Sequence, residues 1–254
     1  VREMTWGGDK ATKEHYILAN MWPAEKAIKA ANQQGAFVFW NHPDWYRQAS
    51  DGMAKLMPMH KEMIDKGYLH GIEVVNGNGY SAEAFQIAID NNLSIIGTSD
   101  VHNLIDWAYK PHTGGPRPVT LVFASAKNSK AVKDALMDRR TVIWFKNNLF
   151  GLERSLNPLL EASLSIESAV YNNETQIMGL TIKNNSDAIF LLKNNSDYTF
   201  SNSDDMVQVP AQGSKYLKVK TLKRLNQLIL DFTVMNALVA PKQYAQITLK
   251  RRID

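Results

Sequence analysis

The chain has 254 residues, a formal net charge of +4 at pH 7 and no cysteine. Without cysteine it forms no disulfide, no thiolate zinc site and no cysteine nucleophile. No basic run or RNA-binding motif stands out, and no apolar run reaches the roughly 18 residues that span a membrane, so we expect neither a nucleic-acid partner nor a membrane span.

The chain starts Val-Arg-Glu, without an initiator methionine or an apolar leader. This start is typical of an internal or processed end. If a leader has been removed, we expect the bacterial periplasm or secretion rather than the cytoplasm. The sequence leaves the oligomeric state open.

Helices and strands alternate in the first 152 residues. The apolar periodicity and the Gly and Pro breaks predict helices over 23–34, 51–66, 82–91 and 130–139. Predicted strands lie at 36–40, 72–76, 94–97, 119–124 and 141–145. We expect Pro58 to kink or split the second helix, Ser81 to cap the third and Ser129 to cap the fourth. Such alternation indicates βαβ units and a parallel sheet or barrel.

The pattern changes between 152 and 158, and only short alternating strands are predicted beyond it. These cover 163–171, 176–183, 188–192, 216–220, 228–234 and 245–250, separated by Asn-rich turns. Strands at this spacing are typical of a small antiparallel β-sandwich. We therefore predict an α/β domain over 1–152 and a β-sandwich accessory domain over 153–254.

Two predicted strands end in residues that bind metal ions. The apolar run 36–40 has the composition of a fully buried strand and leads into Asn-His-Pro, with His42 at its end. Strand 94–97 leads into Asp100 and His102. In α/β folds the carboxyl ends of parallel strands carry the ligands, and a carboxylate with imidazoles suits zinc, manganese or iron. The alternative for His42 alone is an ordinary turn residue.

These motifs resemble those of the polymerase and histidinol phosphatase (PHP) superfamily of metal-dependent phosphoesterases. The resemblance rests on Phe-Trp-Asn-His-Pro at 39–43, Gly-Ile-Glu-Val-Val-Asn at 71–76 and Gly-Thr-Ser-Asp-Val-His at 97–102. The runs at 117–124 and 138–141 are similar to the Sphingobium-type phosphodiesterase branch, whose members also carry a β-rich C-terminal domain.

The resemblance implies a distorted (β/α)7 barrel, of which this chain holds the C-terminal part, with up to three divalent metal ions (Zn, Mn or Fe). The ligands it implies are Glu3, His15, His42, Asp100 and His102. Asp100 and His102 would also be catalytic. Glu14 replaces the glycine that the family has before the histidine matched by His15.

Arg117 is predicted to grip phosphate oxygens, because a guanidinium group offers paired donors. Arg140 is a weaker candidate for the same role. Trp45 and Trp107 flank the metal motifs and either wall a pocket or pack on the surface. Glu73, inside an apolar strand, either orients a ligand or pairs with a lysine. His60 and His70 are expected to face solvent or cap the core.

The function that the resemblance implies is hydrolysis of a small-molecule phosphoester, and in particular a phosphodiester, through a metal-activated hydroxide. The family's first motif, His-x-His, is missing from the sequence, so we expect the barrel to be incomplete at its N-terminal side. Two alternatives stay open at this point. One is a non-catalytic metal-binding or scaffold remnant of a PHP protein, and the other is a metallohydrolase of the amidohydrolase type.

Overall fold

The computed structural model describes residues 21–253. Three short parallel strands carry the candidate site: β1 (Phe39–Trp40), β2 (Gly71–Asn76) and, after the short antiparallel strand β3 (Gly79–Tyr80), β4 (Ser94–Thr98). Strand β2 lies between β1 and β4. The parallel part of the predicted α/β domain is therefore present.

The strand around 36–40 is shorter and more exposed than its composition predicts. Only Phe39–Trp40 forms a ladder, and Phe39 is 36% exposed. Within the described part of the chain β1 pairs on one side only, with β2, so its outer side is left uncovered by any described strand. By contrast, β2 is buried along five of its six residues, as its apolar run predicts.

Three helices accompany these strands: α1 (Ala24–Gln33), α2 (Pro58–Asp65) and α3 (Ala82–Asp90). The predicted helix over 51–66 starts only at Pro58, because the residue before a proline is pushed into the extended region and Met57 is extended. Ser81 caps α3 as predicted, since its hydroxyl accepts from the Ala84 N–H at 3.2 Å.

The next segment departs from the predicted parallel pairing. After the short helices α4 (Ile105–Ala108) and Pro111–Thr113 come β5 (Val119–Val122), α5 (Ser129–Met137), β6 (Thr141–Phe145) and β7 (Asn148–Gly151). Strand β6 runs antiparallel to both β5 and β7. The prediction of parallel strands was wrong here, because α5 connects β5 to a neighbour that runs in the opposite direction. A two-residue turn with Lys146 at φ 54° then folds β6 and β7 into a hairpin.

Two side chains of this segment, Asn128 and Thr120, make hydrogen bonds that the sequence did not predict. Asn128 caps α5 in place of the predicted Ser129, accepting from the Ala131 N–H at 2.9 Å. The Thr120 hydroxyl bridges β5 to β4: it accepts from the Gly97 N–H and donates to the Gly97 carbonyl, both at 2.9 Å. The end of β4 is thereby fixed against its neighbour.

Residues beyond 152 begin with a helix, where only strands were predicted. Helix α6 (Glu153–Ser163) contains Pro158 in its interior, which explains why the sequence pattern did not indicate it. Leu156 and Leu160 lie one turn apart and are both fully buried in the core of the sandwich. Their burial stabilises the helix in spite of the proline.

The predicted sandwich is confirmed, with more strands than expected. Its strands are β8 (Leu164–Tyr171), β9 (Ile177–Asn184), β10 (Phe190–Asn194), β11 (Thr199–Phe200), β12 (Met206–Val209), β13 (Ser214–Lys220), β14 (Gln227–Ala240) and β15 (Gln243–Arg252). One sheet has the order β11-β13-β9-β8, and the other contains β12, β10, β14 and β15. Alternate residues of the long strands fill the space between the sheets.

The second sheet continues out of the sandwich. The end of β14 pairs in parallel with β7, through Ala237 with Leu149 and Leu238 with Phe150. Asn236, 3% exposed, reinforces this junction by donating to the Asn147 carbonyl at 2.6 Å. Strands β5, β6 and β7 thus share one sheet with half of the sandwich. No helix among residues 21–253 is long and apolar enough to cross a membrane.

Candidate active site

A pocket of about 450 Å³ opens where β1, β2 and β4 end. Parallel strands bring their carboxyl ends to the same edge of a sheet, and the loops that follow converge there. His42 follows β1, and Asp100 and His102 follow β4. The lining that the structure describes consists of His42, Asp44, Trp45, Tyr46, Glu73, Val74, Asn76, Gly79, Asp100 and His102. Three of the five predicted metal ligands therefore lie around one pocket.

Glu73 lies at the base of this pocket and is only 2% exposed. Its Oε2 atom accepts from the backbone N–H of His42 and from Nδ2 of Asn76, the latter at 3.0 Å. Its Oε1 atom accepts from the hydroxyl of Thr98. One buried side chain thus connects the ends of all three parallel strands. Of the two predicted roles, these contacts agree with orienting a neighbour, and no lysine among residues 21–253 pairs with Glu73.

His42 adopts an uncommon backbone conformation, with φ at 32°. The hydrogen bond from its N–H to Glu73 holds the backbone there. Asn41 Nδ2 lies 2.9 Å from the ring Nε2, and Gln48 Nε2 lies 3.1 Å from Nδ1. Both ring nitrogens have amide partners, so a metal ion would have to replace one of them.

Asp100 and His102 are arranged differently. Asp100 also has a positive φ, 54°, and its side chain is exposed. The Nδ1 atom of His102 lies 2.8 Å from the Asp100 carbonyl. Because a carbonyl oxygen only accepts, Nδ1 must carry the proton, and Nε2 is left as the acceptor of the ring. Histidines that bind metals commonly have their second nitrogen held in this way.

The pocket is lined by acidic side chains. Asp44, Glu73 and Asp100 contribute carboxyl groups, and the lining that the structure describes includes no lysine or arginine. Donor types that suit a divalent cation are therefore present. However, within residues 21–253 no three or more histidine and acidic side chains converge closely enough to form a metal-binding group. Glu3 and His15, two of the predicted ligands, lie outside the described residues.

Other residues that the sequence singled out lie elsewhere. Arg117 is exposed and does not belong to the described lining, so the structure does not bring it to the pocket. Trp107 is 72% exposed and also lies outside the lining, whereas Trp45 is part of it. Arg140 pairs with Asp138 at 3.3 Å, as a residue at a helix end does.

His60 and His70 are half-buried and pack on aromatic rings. His60 stacks on Trp40 with ring centroids 3.7 Å apart, and burial lowers its pKa. His70 stacks on Phe37, and its Nδ1 accepts from the Val38 N–H at 3.0 Å. Burial lowers the pKa of His70 as well. Both are packing residues of the α/β domain.

The sequence did not single out Asp44, Tyr46 and Asn76, three polar residues of the described lining. Asp44 and Tyr46 follow His42 within four positions, and Asn76 is the last residue of β2. Their place in the sequence could have indicated them, because each lies at or just after the end of a strand, where pocket residues of α/β folds are found. A larger pocket of about 540 Å³ lies between Phe37 and α5, but no carboxylate or imidazole is among its described lining.

Comparisons with known proteins support this description. A family model described as an Ig-like domain matches residues 164–250. A search of curated proteins gives no match. Among solved structures, a two-domain protein from Bacteroides vulgatus ATCC 8482, described as containing a predicted PHP-like metal-dependent phosphoesterase, is 33% identical with a TM-score of 0.80. This chain has a two-domain fold similar to that of the PHP-like protein.

The match covers 90% of this chain and 66% of the Bacteroides protein. The resemblance to PHP proteins is thus confirmed for the fold, and the C-terminal β-sandwich is an Ig-like domain. The complete (β/α)7 barrel, the Sphingobium-type branch and the domain boundary after residue 152 stay predictions.

Proposed function

We propose that this chain is a metal-dependent phosphoesterase that hydrolyses a small-molecule phosphodiester. Two independent findings support the proposal. One is the pocket, where residues predicted from separate stretches of sequence lie together. The other is the similarity to the Bacteroides protein, whose description names a PHP-like metal-dependent phosphoesterase. The diester preference follows from the Sphingobium-type motifs at 117–124 and 138–141.

The observation that carries the metal dependence is the charge of the pocket. A phosphodiester is an anion, and the described lining offers it three carboxyl groups and no lysine or arginine. Like charges repel in such a partly enclosed site more strongly than in water. A divalent cation bound there offsets two of these negative charges and offers the phosphoryl oxygens a positive partner, so substrate binding should require the metal.

Asp100 and His102 are the described residues best suited to hold that metal ion, with His42 as a third ligand once an amide partner is displaced. Glu3 and His15 are proposed to complete the site, on the resemblance alone. A bound zinc, manganese or iron ion supplies Lewis-acid chemistry: it withdraws charge from the phosphoryl oxygens and lowers the pKa of water.

The chain's own residues prepare the site for this reaction. Glu73 fixes the His42 backbone between the strand ends, and the Asp100 carbonyl sets the tautomer of His102. In the hydrolysis a bond forms between water oxygen and phosphorus, the ester P–O bond breaks, and the released alcohol takes up a proton. Preset side chains reduce the reorganisation needed during this step.

The test combines metal analysis with turnover. The purified chain is stripped with a chelator, reloaded with Mn²⁺ or Zn²⁺, and assayed with bis-p-nitrophenyl phosphate and with p-nitrophenyl phosphate. We expect turnover only after reloading, and faster turnover of the diester. Asp100→Asn and His102→Ala should weaken metal binding by at least about tenfold. The matched controls Asp106→Asn and His112→Ala, both exposed and outside the described lining, should not.

The absence of a three-residue metal group among residues 21–253 keeps the scaffold alternative in the test. A reloaded chain that holds no divalent ion and turns over neither ester would replace the proposal with a non-catalytic scaffold. A reloaded chain that hydrolyses p-nitroacetanilide but neither phosphoester would instead indicate the amidohydrolase type.

A further inference from the structure

We propose that Trp45 and Tyr46, braced by Arg47, form an aromatic wall that binds a planar aromatic group of the ester substrate. The inference rests on the proposed function and adds the substrate class: phosphodiesters with an aryl or similar flat ring next to the phosphoryl group.

The wall begins at the candidate ligand His42 and leads outward. The Trp45 ring meets the His42 ring edge-on with centroids 5.1 Å apart, and Tyr46 meets Trp45 edge-on at 5.7 Å. Both Trp45 and Tyr46 line the same pocket as Asp100 and His102. A phosphoryl group near Asp100 and His102 therefore has aromatic surface within reach of its ester substituent.

The wall is held in place before any ligand binds. The Trp45 N–H donates to the His42 carbonyl at 3.1 Å, and the Trp45 carbonyl accepts from the N–H groups of Gln48 and Ala49 at 2.7 and 2.8 Å. Arg47 places its Cζ atom 5.3 Å from the Trp45 ring centroid, and its Nε donates to the Tyr46 hydroxyl at 3.2 Å. Little side-chain freedom is lost when a ring packs there.

Trp45 and Tyr46 leave a large aromatic surface in contact with water inside the pocket. Trp45 is 40% exposed and Tyr46 is 64% exposed, although both lie in a concave site where burial would be favourable. A flat ring that packs on them removes this surface from water and gains the geometry-dependent attraction between aromatic rings. A methyl group in the same place covers less surface and gains no such attraction. The Arg47 charge adds attraction for an anionic diester.

The experiment compares two diesters with the same leaving group. O-phenyl S-ethyl phosphorothioate and O-methyl S-ethyl phosphorothioate both release ethanethiol, which a thiol reagent detects in a chain without cysteine. The leaving group has no ring, so the two esters differ in the group that the wall would hold. For the metal-loaded chain we expect a KM about fivefold or more lower for the phenyl ester. Trp45→Ala should abolish this preference, and Trp45→Phe should retain part of it. The control Trp107→Ala, at an exposed residue outside the described lining, should leave it unchanged.

Binding without turnover separates this inference from the proposed function. Phenylphosphonate and methylphosphonate are titrated into the metal-loaded chain by calorimetry, and melting temperatures show that each variant is folded. Tighter phenylphosphonate binding that disappears in Trp45→Ala supports the wall, even if no ester is hydrolysed. Hydrolysis of both esters with equal KM, or equal affinity for both phosphonates, overturns the wall and leaves the phosphoesterase proposal standing.

Discussion

Replacing Glu73 by alanine removes the acceptor of three hydrogen bonds at once. The donors are the His42 N–H, the Asn76 amide and the Thr98 hydroxyl. A buried donor without a partner costs about 1–3 kcal/mol. The Asn76 and Thr98 side chains are only partly buried and can turn to water. We therefore expect Glu73→Ala to lower the free energy of unfolding by about 2–4 kcal/mol, less than three full penalties.

Glu73→Gln separates the geometry of this side chain from its charge. The amide oxygen can accept from His42 and Asn76, and the amide NH₂ can donate to Thr98, because a hydroxyl both donates and accepts. We expect the free energy of unfolding of this variant to lie within about 1 kcal/mol of the wild-type value. Its Mn²⁺ affinity should nevertheless fall by about tenfold, because a carboxyl group has left the metal site's surroundings.

Urea unfolding followed by circular dichroism gives the stability of both variants, and calorimetric titration of Mn²⁺ into each folded variant gives the affinity. An alanine variant that unfolds at the wild-type urea midpoint would show that these three hydrogen bonds do not stabilise the fold. A glutamine variant destabilised as much as the alanine variant would show that the introduced amide does not donate to Thr98.

Three further predictions concern the surroundings of the site. In Gly97→Ala the new Cβ would lie 2.5 Å from Cγ2 of the fully buried Ile143. This overpacking should lower the free energy of unfolding by about 1–3 kcal/mol, measured as a fall in the urea midpoint. An unchanged midpoint would contradict the close packing of Gly97 on Ile143. Burial lowers the pKa of His60 below its ordinary 6.5, so protonation favours the unfolded chain and stability is lost as the pH falls below about 6.5. His60→Phe, which keeps a ring on Trp40, should lose less stability than the wild type between about pH 7.5 and pH 5, and equal losses would refute this. Asn236→Ala removes two hydrogen bonds to backbone carbonyls and one from a backbone N–H. It should lower the free energy of unfolding, measured in urea, by about 2–4 kcal/mol. A wild-type value would show that water replaces the Asn236 amide.

Much of the candidate site could be predicted from sequence, because local patterns specify where a strand ends. An apolar run followed by Asn-His-Pro placed His42 at a strand end, and the Ser-Asp-x-His run did the same for Asp100 and His102. The contacts of Glu73 could not be predicted, since they depend on how three strands from separate parts of the chain align. The same holds for Asp44 and Tyr46, whose participation depends on the path of the loop after Pro43.

By itself the sequence located the four helices α1, α2, α3 and α5 and most of the long strands, because the spacing of apolar residues reflects local geometry. It also determined the residue types available for metal binding and the presence of a C-terminal sandwich. Only the tertiary structure decided which strand edges pair. That choice made β5, β6 and β7 antiparallel and joined them to β14. It also buried Leu156 and Leu160 of α6 in spite of Pro158, because long-range burial outweighs the local preference of a proline.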